Sequence, residues 1–151
     1  MIEKYSLNKF NLHSRITGFF TRCGKRAKVQ KFVSQCFFDI ARSVNRPVFV
    51  VLKKIFILLN VFVETKTVKI RRRRYVIPFP VSRNRRIYLA LKWLGQGLRL
   101  RKQRIPLFKR LKAELLTVLI NKKRRESKTL RFRRQNVYKA MENRSNIHYR
   151  W

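Results

Sequence analysis

Apolar residues recur at helical spacing along most of this chain. Val29, Phe32, Val33, Cys36, Phe37 and Ile40 fall at i, i+3, i+4, i+7, i+8 and i+11, with Lys25, Arg26, Lys28 and Lys31 at other positions. This predicts a helix that opens after Gly24, ends near Arg42–Val44 and has one inward face. Pro47 suits the first turn of a second helix, where its missing N–H costs nothing. Val48, Val51, Leu52, Ile55, Leu59 and Phe62 form its stripe, and Phe49, Val50, Phe56, Ile57 and Leu58 widen it until the helix is apolar nearly all round. Such a helix is expected to be the most buried of the set.

From Val63 the period changes. Val63–Ile70 is β-branched and partly alternating, Arg71–Arg74 follow, and Tyr75–Val81 is again apolar but carries Pro78 and Pro80. The two prolines exclude a central strand and allow a two-stranded ribbon, so 63–81 reads as a β-hairpin with arginine at its tip. An isolated ribbon is marginal in water, and RNA is the expected support. Ser82 or Asn84 caps a third helix with Ile87, Ala90, Leu91, Leu94 and Leu98 inward. Gly95 and Gly97 weaken this helix and offer close approach to a neighbour. Pro106 opens a fourth helix through Leu107, Leu111, Leu115, Val118 and Leu119, and Val137, Tyr138 and Met141 mark a last amphipathic segment.

These elements predict a mainly α fold: a helical bundle of about five to six helices with a protruding two-stranded β-hairpin. An N-terminal extension over 1–14 precedes a single RNA-binding domain over 15–151, whose basic C-terminal segment is 122–151. A domain of this length can bury roughly 70% of its unfolded surface.

Charge then narrows the function. Forty Lys and Arg face six Asp and Glu in 151 residues, a net charge of +34. Like charges within a Debye length of about 8 Å repel, and a polyanion relieves them. Nucleic acid gains further because each neutralised phosphate releases counterions. With 45% hydrophobic residues and 12 Phe, the chain is too apolar for a disordered polybasic arm. The apolar run around Ile55–Val63 falls far short of the roughly 20 residues a membrane span needs.

Catalysis has little to draw on. Glu3, Asp39, Glu64, Glu114, Glu126 and Glu142 are isolated from one another, and no phosphate-cradling Gly-rich loop or nucleophile motif is present. Paired carboxylates or a His/acid cluster would be needed, so no enzyme is expected. Cys23 and Cys36 with only His13 and His148 make no metal-ligand set. Cys36 reads as a small core residue, and neither a metal nor a cofactor is expected.

Candidate RNA contacts are the basic clusters: Lys25, Arg26 and Lys28 at a helix start, Arg71, Arg72, Arg73 and Arg74 at the ribbon tip, Lys122, Lys123, Arg124 and Arg125, and Arg131, Arg133 and Arg134. Arginine forks pair with phosphates and stack on bases, and four adjacent guanidiniums repel unless an anion lies between them. Phe32, Phe37, Phe38, Phe49, Phe56, Phe62 and Trp93 are expected in the core. Tyr75, Phe132, Tyr149 and Trp151 stand among arginines, where stacking on unpaired bases and local packing are both open.

Four stretches in this order resemble the family of ribosomal protein seven of the small subunit: Cys23–Lys28 opening a helix, the strand pair with Tyr75-Val76-Ile77-Pro78, Arg85–Trp93, and Arg131–Trp151. The ending Asn143-Arg144-Ser145-Asn146-Ile147-His148-Tyr149-Arg150-Trp151 is the most specific. The resemblance covers roughly 15–151. It implies a structural constituent of the small ribosomal subunit that binds the 3′ major (head) domain of small-subunit rRNA, organises head assembly and lies near the exit-site tRNA. Its partners would be that rRNA, neighbouring head proteins and the exit-site tRNA; no contact with mRNA is assigned and none with a membrane is expected. It adds Arg85, Arg86, Arg144, Tyr149, Arg150 and Trp151 to the rRNA contacts. Family members usually place small residues at the ribbon tip, where this chain has arginines. The helix from Gly24 looks closer to mitochondrial members, which points to a mitochondrial ribosome ahead of a plastid or bacterial one. The alternative is a free basic nucleic-acid-binding or membrane-surface factor, which would show one continuous cationic face and one exposed apolar face.

Overall fold

A computed structural model describes residues 9–21, 23–100, 104–120 and 127–150. Six α-helices and one ribbon follow in chain order: α1 (Lys9–Phe20), α2 (Arg26–Val44), α3 (Val48–Leu59), β1 (Val63–Ile70), β2 (Arg73–Pro80), α4 (Arg83–Arg99), α5 (Leu107–Ile120) and α6 (Lys128–Glu142), then a 3₁₀ segment (Arg144–Arg150). The mainly α fold with its two-stranded hairpin is as the periodicity predicts. Lys122–Arg125 and Trp151 lie outside the described residues. Among the described residues no helix is long and apolar enough to cross a membrane.

The helix α1 is an element the periodicity does not predict. It begins inside the segment assigned to an extension and runs across the 14/15 boundary. Leu12 and Ile16, four apart, are buried in the main core together with the α2 stripe Val33, Cys36, Phe37 and Ile40. His13 Nε2 meets Ser34 Oγ at 3.0 Å, tying α1 to α2. The packed unit therefore starts N-terminal of residue 15.

The end of α2 shows how a tight reversal is built. Asn45 takes a left-handed φ of 52°, its N–H bonds to the Arg42 carbonyl, and the Arg46 N–H bonds to the Ala41 carbonyl. This is a Schellman closure, which satisfies carbonyls that the helix end leaves open. Pro47 then starts α3, its carbonyl accepting from the Val50 and Val51 amides.

Two expectations about burial need correction. The helix α3 is not the most buried element. Only Val51, Leu52, Ile55 and Leu59 are buried, while Ile57 is 62% and Val50 46% exposed. An all-apolar helix needs neighbours on every side, and here α2, α4, α5 and α6 cover one side only. Phe32, Phe38 and Phe62, expected in the core, are 55%, 66% and 63% exposed, and Phe49 is 37% exposed; Phe32 and Phe38 sit on opposite flanks of the α2 stripe. Cys36, in contrast, is fully buried, and burial pushes its thiol pKa up to about 12, so it stays protonated and inert. Cys23 is exposed.

Helices α4, α5 and α6 join through a buried carboxylate. Glu114 on α5 is fully buried, and its Oε1 accepts from Ser127 Oγ at 2.7 Å, Thr129 Oγ1 at 2.8 Å and the Thr129 amide at 3.0 Å. Ser127 is also the N-cap of α6, accepting from the Leu130 amide. The carboxylate thus meets the positive end of the α6 dipole and an otherwise unpaired first-turn donor. Gly97 of α4 makes room for this junction. A Cβ there would lie 2.6 Å from Thr129 Oγ1 and 3.2 Å from its amide nitrogen, both already committed to Glu114. Gly97→Ala is therefore expected to destabilise by about 2–3 kcal/mol, read as a lower denaturation midpoint with the slope unchanged. Gly95 serves α1 instead, where its Cβ would meet the Phe19 ring at 2.9 Å.

A second, smaller cluster of Val61, Val81, Leu89 and Trp93, with Phe132 and Val137 against it, sits at the root of the ribbon. It connects both ribbon ends to α4 and α6, and it settles Phe132 and Trp93 as packing residues.

Candidate nucleic-acid interface

The ribbon pairs antiparallel from Val63↔Pro80 to Ile70↔Arg73. The turn is therefore two residues, Arg71-Arg72, and Arg73 and Arg74 belong to β2; the four arginines do not all lie in the turn. Arg71 adopts φ 52°, the left-handed region a short hairpin turn normally gives to Gly or Asn. Holding an arginine there costs about 1–2 kcal/mol. Arg71→Gly is expected to recover about 0.5–1 kcal/mol of ribbon stability after glycine's own entropy is counted. Slower amide exchange of the ribbon would show it. All four arginines are exposed, and none of their guanidinium groups has a hydrogen bond or ion pair among the described residues.

The register also explains the prolines. Counting from the closing pair Ile70↔Arg73, the pairs Lys69↔Arg74, Thr67↔Val76, Thr65↔Pro78 and Val63↔Pro80 are the non-hydrogen-bonded ones. Val76, Pro78 and Pro80 thus turn their backbone polar groups to the free edge, where a missing N–H breaks no ladder bond. The free carbonyls are not left open. Asn146 Nδ2 donates to the Val76 carbonyl at 3.1 Å, and Arg150 Nε and Nη2 both donate to the Pro78 carbonyl, at 2.9 and 2.6 Å. On the ribbon face, Tyr149 stacks on Tyr75 with centroids 4.7 Å apart, and the Arg150 guanidinium lies 5.8 Å from the Phe79 ring centre. The ribbon is held by the chain's own C-terminal segment, a support that the sequence pattern assigns to RNA alone.

At its root the ribbon is fixed by α6 and α4. Asn136 Nδ2 donates to the Val63 carbonyl and Arg133 Nε to the Asn60 carbonyl. Arg85 forms a two-point ion pair with Glu64, with bonds of 2.8 and 3.0 Å, and this hydrogen bonding holds the Glu64 carboxyl below its usual pKa. Arg86 donates to the Val81 carbonyl and lies 4.5 Å above the Phe62 ring, which gives that exposed phenylalanine a cover.

The predicted contacts thus divide into two groups. Arg133, Arg85, Arg86, Tyr75, Tyr149 and Arg150 are engaged within the protein. Lys25, Lys28, Arg71–Arg74, Arg131 and Arg144 are exposed and uncommitted among the described residues. Arg134 is exposed too. Arg26 reaches Ser14 Oγ at 2.8 Å. At the start of α2, Lys25 stands in the N-cap position without a side-chain cap bond, so first-turn amides and cations face outward together. The structural role of Glu114 escapes a search for catalytic acids, although a lone acid on the α5 stripe between Leu111 and Leu115 is a readable signal. Of the other acids, Asp39 pairs with Lys112 at 2.9 Å, and among the described residues no group of three His, Cys, Asp or Glu side chains could hold a metal.

A sequence-family model described as ribosomal protein S7p/S5e matches residues 2–144. The chain is 26% identical over 128 residues to small ribosomal subunit protein uS7m of Reclinomonas americana, covering 85% of this chain and 77% of that one. It is 28% identical over 128 residues to small ribosomal subunit protein uS7 of Mycoplasma mycoides, covering 85% and 79%. Over 79 residues it is 35% identical to small ribosomal subunit protein uS7m of Danio rerio, covering 51% of this chain and 32% of that one.

Proposed function

This chain belongs to the ribosomal protein S7p/S5e family, and from that premise we propose how it works as a structural, non-enzymatic constituent of the small ribosomal subunit. It binds the 3′ major domain of small-subunit rRNA, organises the head and presents its ribbon towards the exit-site tRNA, in a mitochondrial ribosome. The similarity to uS7m proteins supports the mitochondrial setting, alongside comparable similarity to bacterial uS7. The mechanism is positional. Helical faces neutralise phosphates, the ribbon reaches into RNA, and the core fixes the angle between them. Lys25, Arg26, Lys28, Arg71–Arg74, Arg131, Arg134 and Arg144 serve as the RNA-facing set, with Lys122–Arg125 as a further basic run.

One observation carries this reading: four consecutive exposed arginines on a ribbon have no side-chain partner among the described residues, in a chain with a net charge of +34. Phosphates supply what the protein does not. Sedimentation of an organelle lysate tests it. Co-migration with the small subunit, resistant to salt that strips loosely bound factors, is expected, together with protection of 3′ major domain nucleotides from chemical probes. A peak at the top of the gradient or in the membrane fraction would overturn it.

A further inference from the structure

We propose that the C-terminal segment is a positioning clasp: Asn146, Tyr149 and Arg150 set the direction of the ribbon, and they act on RNA affinity through it. The inference rests on the reading that Arg71–Arg74 meet RNA. Its basis is how these side chains are spent. A guanidinium grips a phosphate with two parallel N–H groups, and the Nε/Nη2 edge of Arg150 is already on the Pro78 carbonyl. Its face looks on Phe79. The Tyr149 ring, which a base would need, is already in contact with the Tyr75 and His148 rings, with centroids 4.7 and 4.0 Å away. Asn146 holds Val76. Together the three side chains grip β2 at every position from Tyr75 to Phe79 except buried Ile77, which needs no such hold.

The geometry gives the clasp its leverage. From Pro78 to Arg72 the ribbon extends about 20 Å at roughly 3.3 Å per residue. A swing of about 20° at the clasp would carry the tip about 7 Å, beyond the reach of any hydrogen bond to a phosphate. A two-stranded ribbon alone does not resist such motion. The clasp does, and it does so before RNA is present.

A double-mutant cycle separates positioning from contact. Affinity for a 3′ major domain RNA fragment is measured for the unaltered chain, Arg150→Ala, the fourfold Arg71–Arg74→Ser variant and the combination. With the ribbon arginines present, Arg150→Ala is expected to weaken binding about five- to tenfold; in their absence, by less than about twofold. Arg150→Lys is expected not to rescue, because an ammonium cannot fork onto one carbonyl as a guanidinium does. Amide exchange of the free protein should show faster exchange in the ribbon of Arg150→Ala, with α4 and α5 unchanged, which also verifies that the core is folded. Equal losses in both backgrounds, or full rescue by lysine, would overturn the clasp and make Arg150 a direct phosphate ligand. If the fourfold variant bound as tightly as the unaltered chain, the ribbon reading itself would fall, a different result from either.

Discussion

Replacing Glu114 with alanine is expected to destabilise the fold by about 3–4 kcal/mol, because one carboxylate oxygen serves three buried donors. Two hydroxyls and one amide converge on Glu114 Oε1, and Ser127 and Thr129 are themselves fully buried. Each buried donor left without a partner costs about 1–3 kcal/mol, and the hydroxyls recover part of this by rotating. The amide of Thr129 cannot. The substitution also removes a negative charge from the N-terminal end of α6 and from a chain with very few acids. Urea unfolding checks it through a lower midpoint. Glu114→Gln keeps a carbonyl acceptor and is expected to cost only about 1 kcal/mol. A destabilisation as large as that of alanine would mean that charge, not hydrogen bonding, dominates the junction.

Replacing Arg71–Arg74 by serine is expected to reduce affinity for the 3′ major domain RNA at least tenfold at about 0.1 M salt. The logarithmic salt slope should shrink by up to about four, one for each phosphate that an arginine no longer neutralises. The helices should melt as before, since none of the four side chains touches the core. Relief of the strained φ at Arg71 does not enter, because serine keeps a Cβ there. An unchanged affinity and slope would remove the ribbon from the RNA interface.

The helical skeleton is readable because it rests on local spacing. The stripes of α2, α4 and α5 each specify one buried face, and Pro47 and Pro106 mark where helices begin. What spacing cannot supply is the identity of the neighbour. The all-round apolarity of α3 states that every side tolerates burial, yet only one side receives it. Leu12 and Ile16 of α1 carry the same i, i+4 signal as the other helices, but two apolar positions around polar Ser14 make too short a stripe to mark a helix across the 14/15 boundary. At the site, exposed Arg and Lys runs are legible as charge. The clasp is not. It works through backbone carbonyls of β2, which leave no mark in side-chain chemistry, and an Arg–Tyr pair that holds a ribbon has the same composition as one that holds RNA.

The proline-lined edge of β2 bears on the interval between synthesis and assembly. An extended strand with open amides invites a second copy to add its own strand, and a chain rich in Phe and Val is a poor one to leave so exposed. Here Pro78 and Pro80 offer no donors along that edge, while the Val76 and Pro78 carbonyls are occupied by the tail. Along this edge the ribbon is therefore a poor template for a second strand. A newly made molecule waiting for its RNA thus has this stretch of β2 already closed to its own kind.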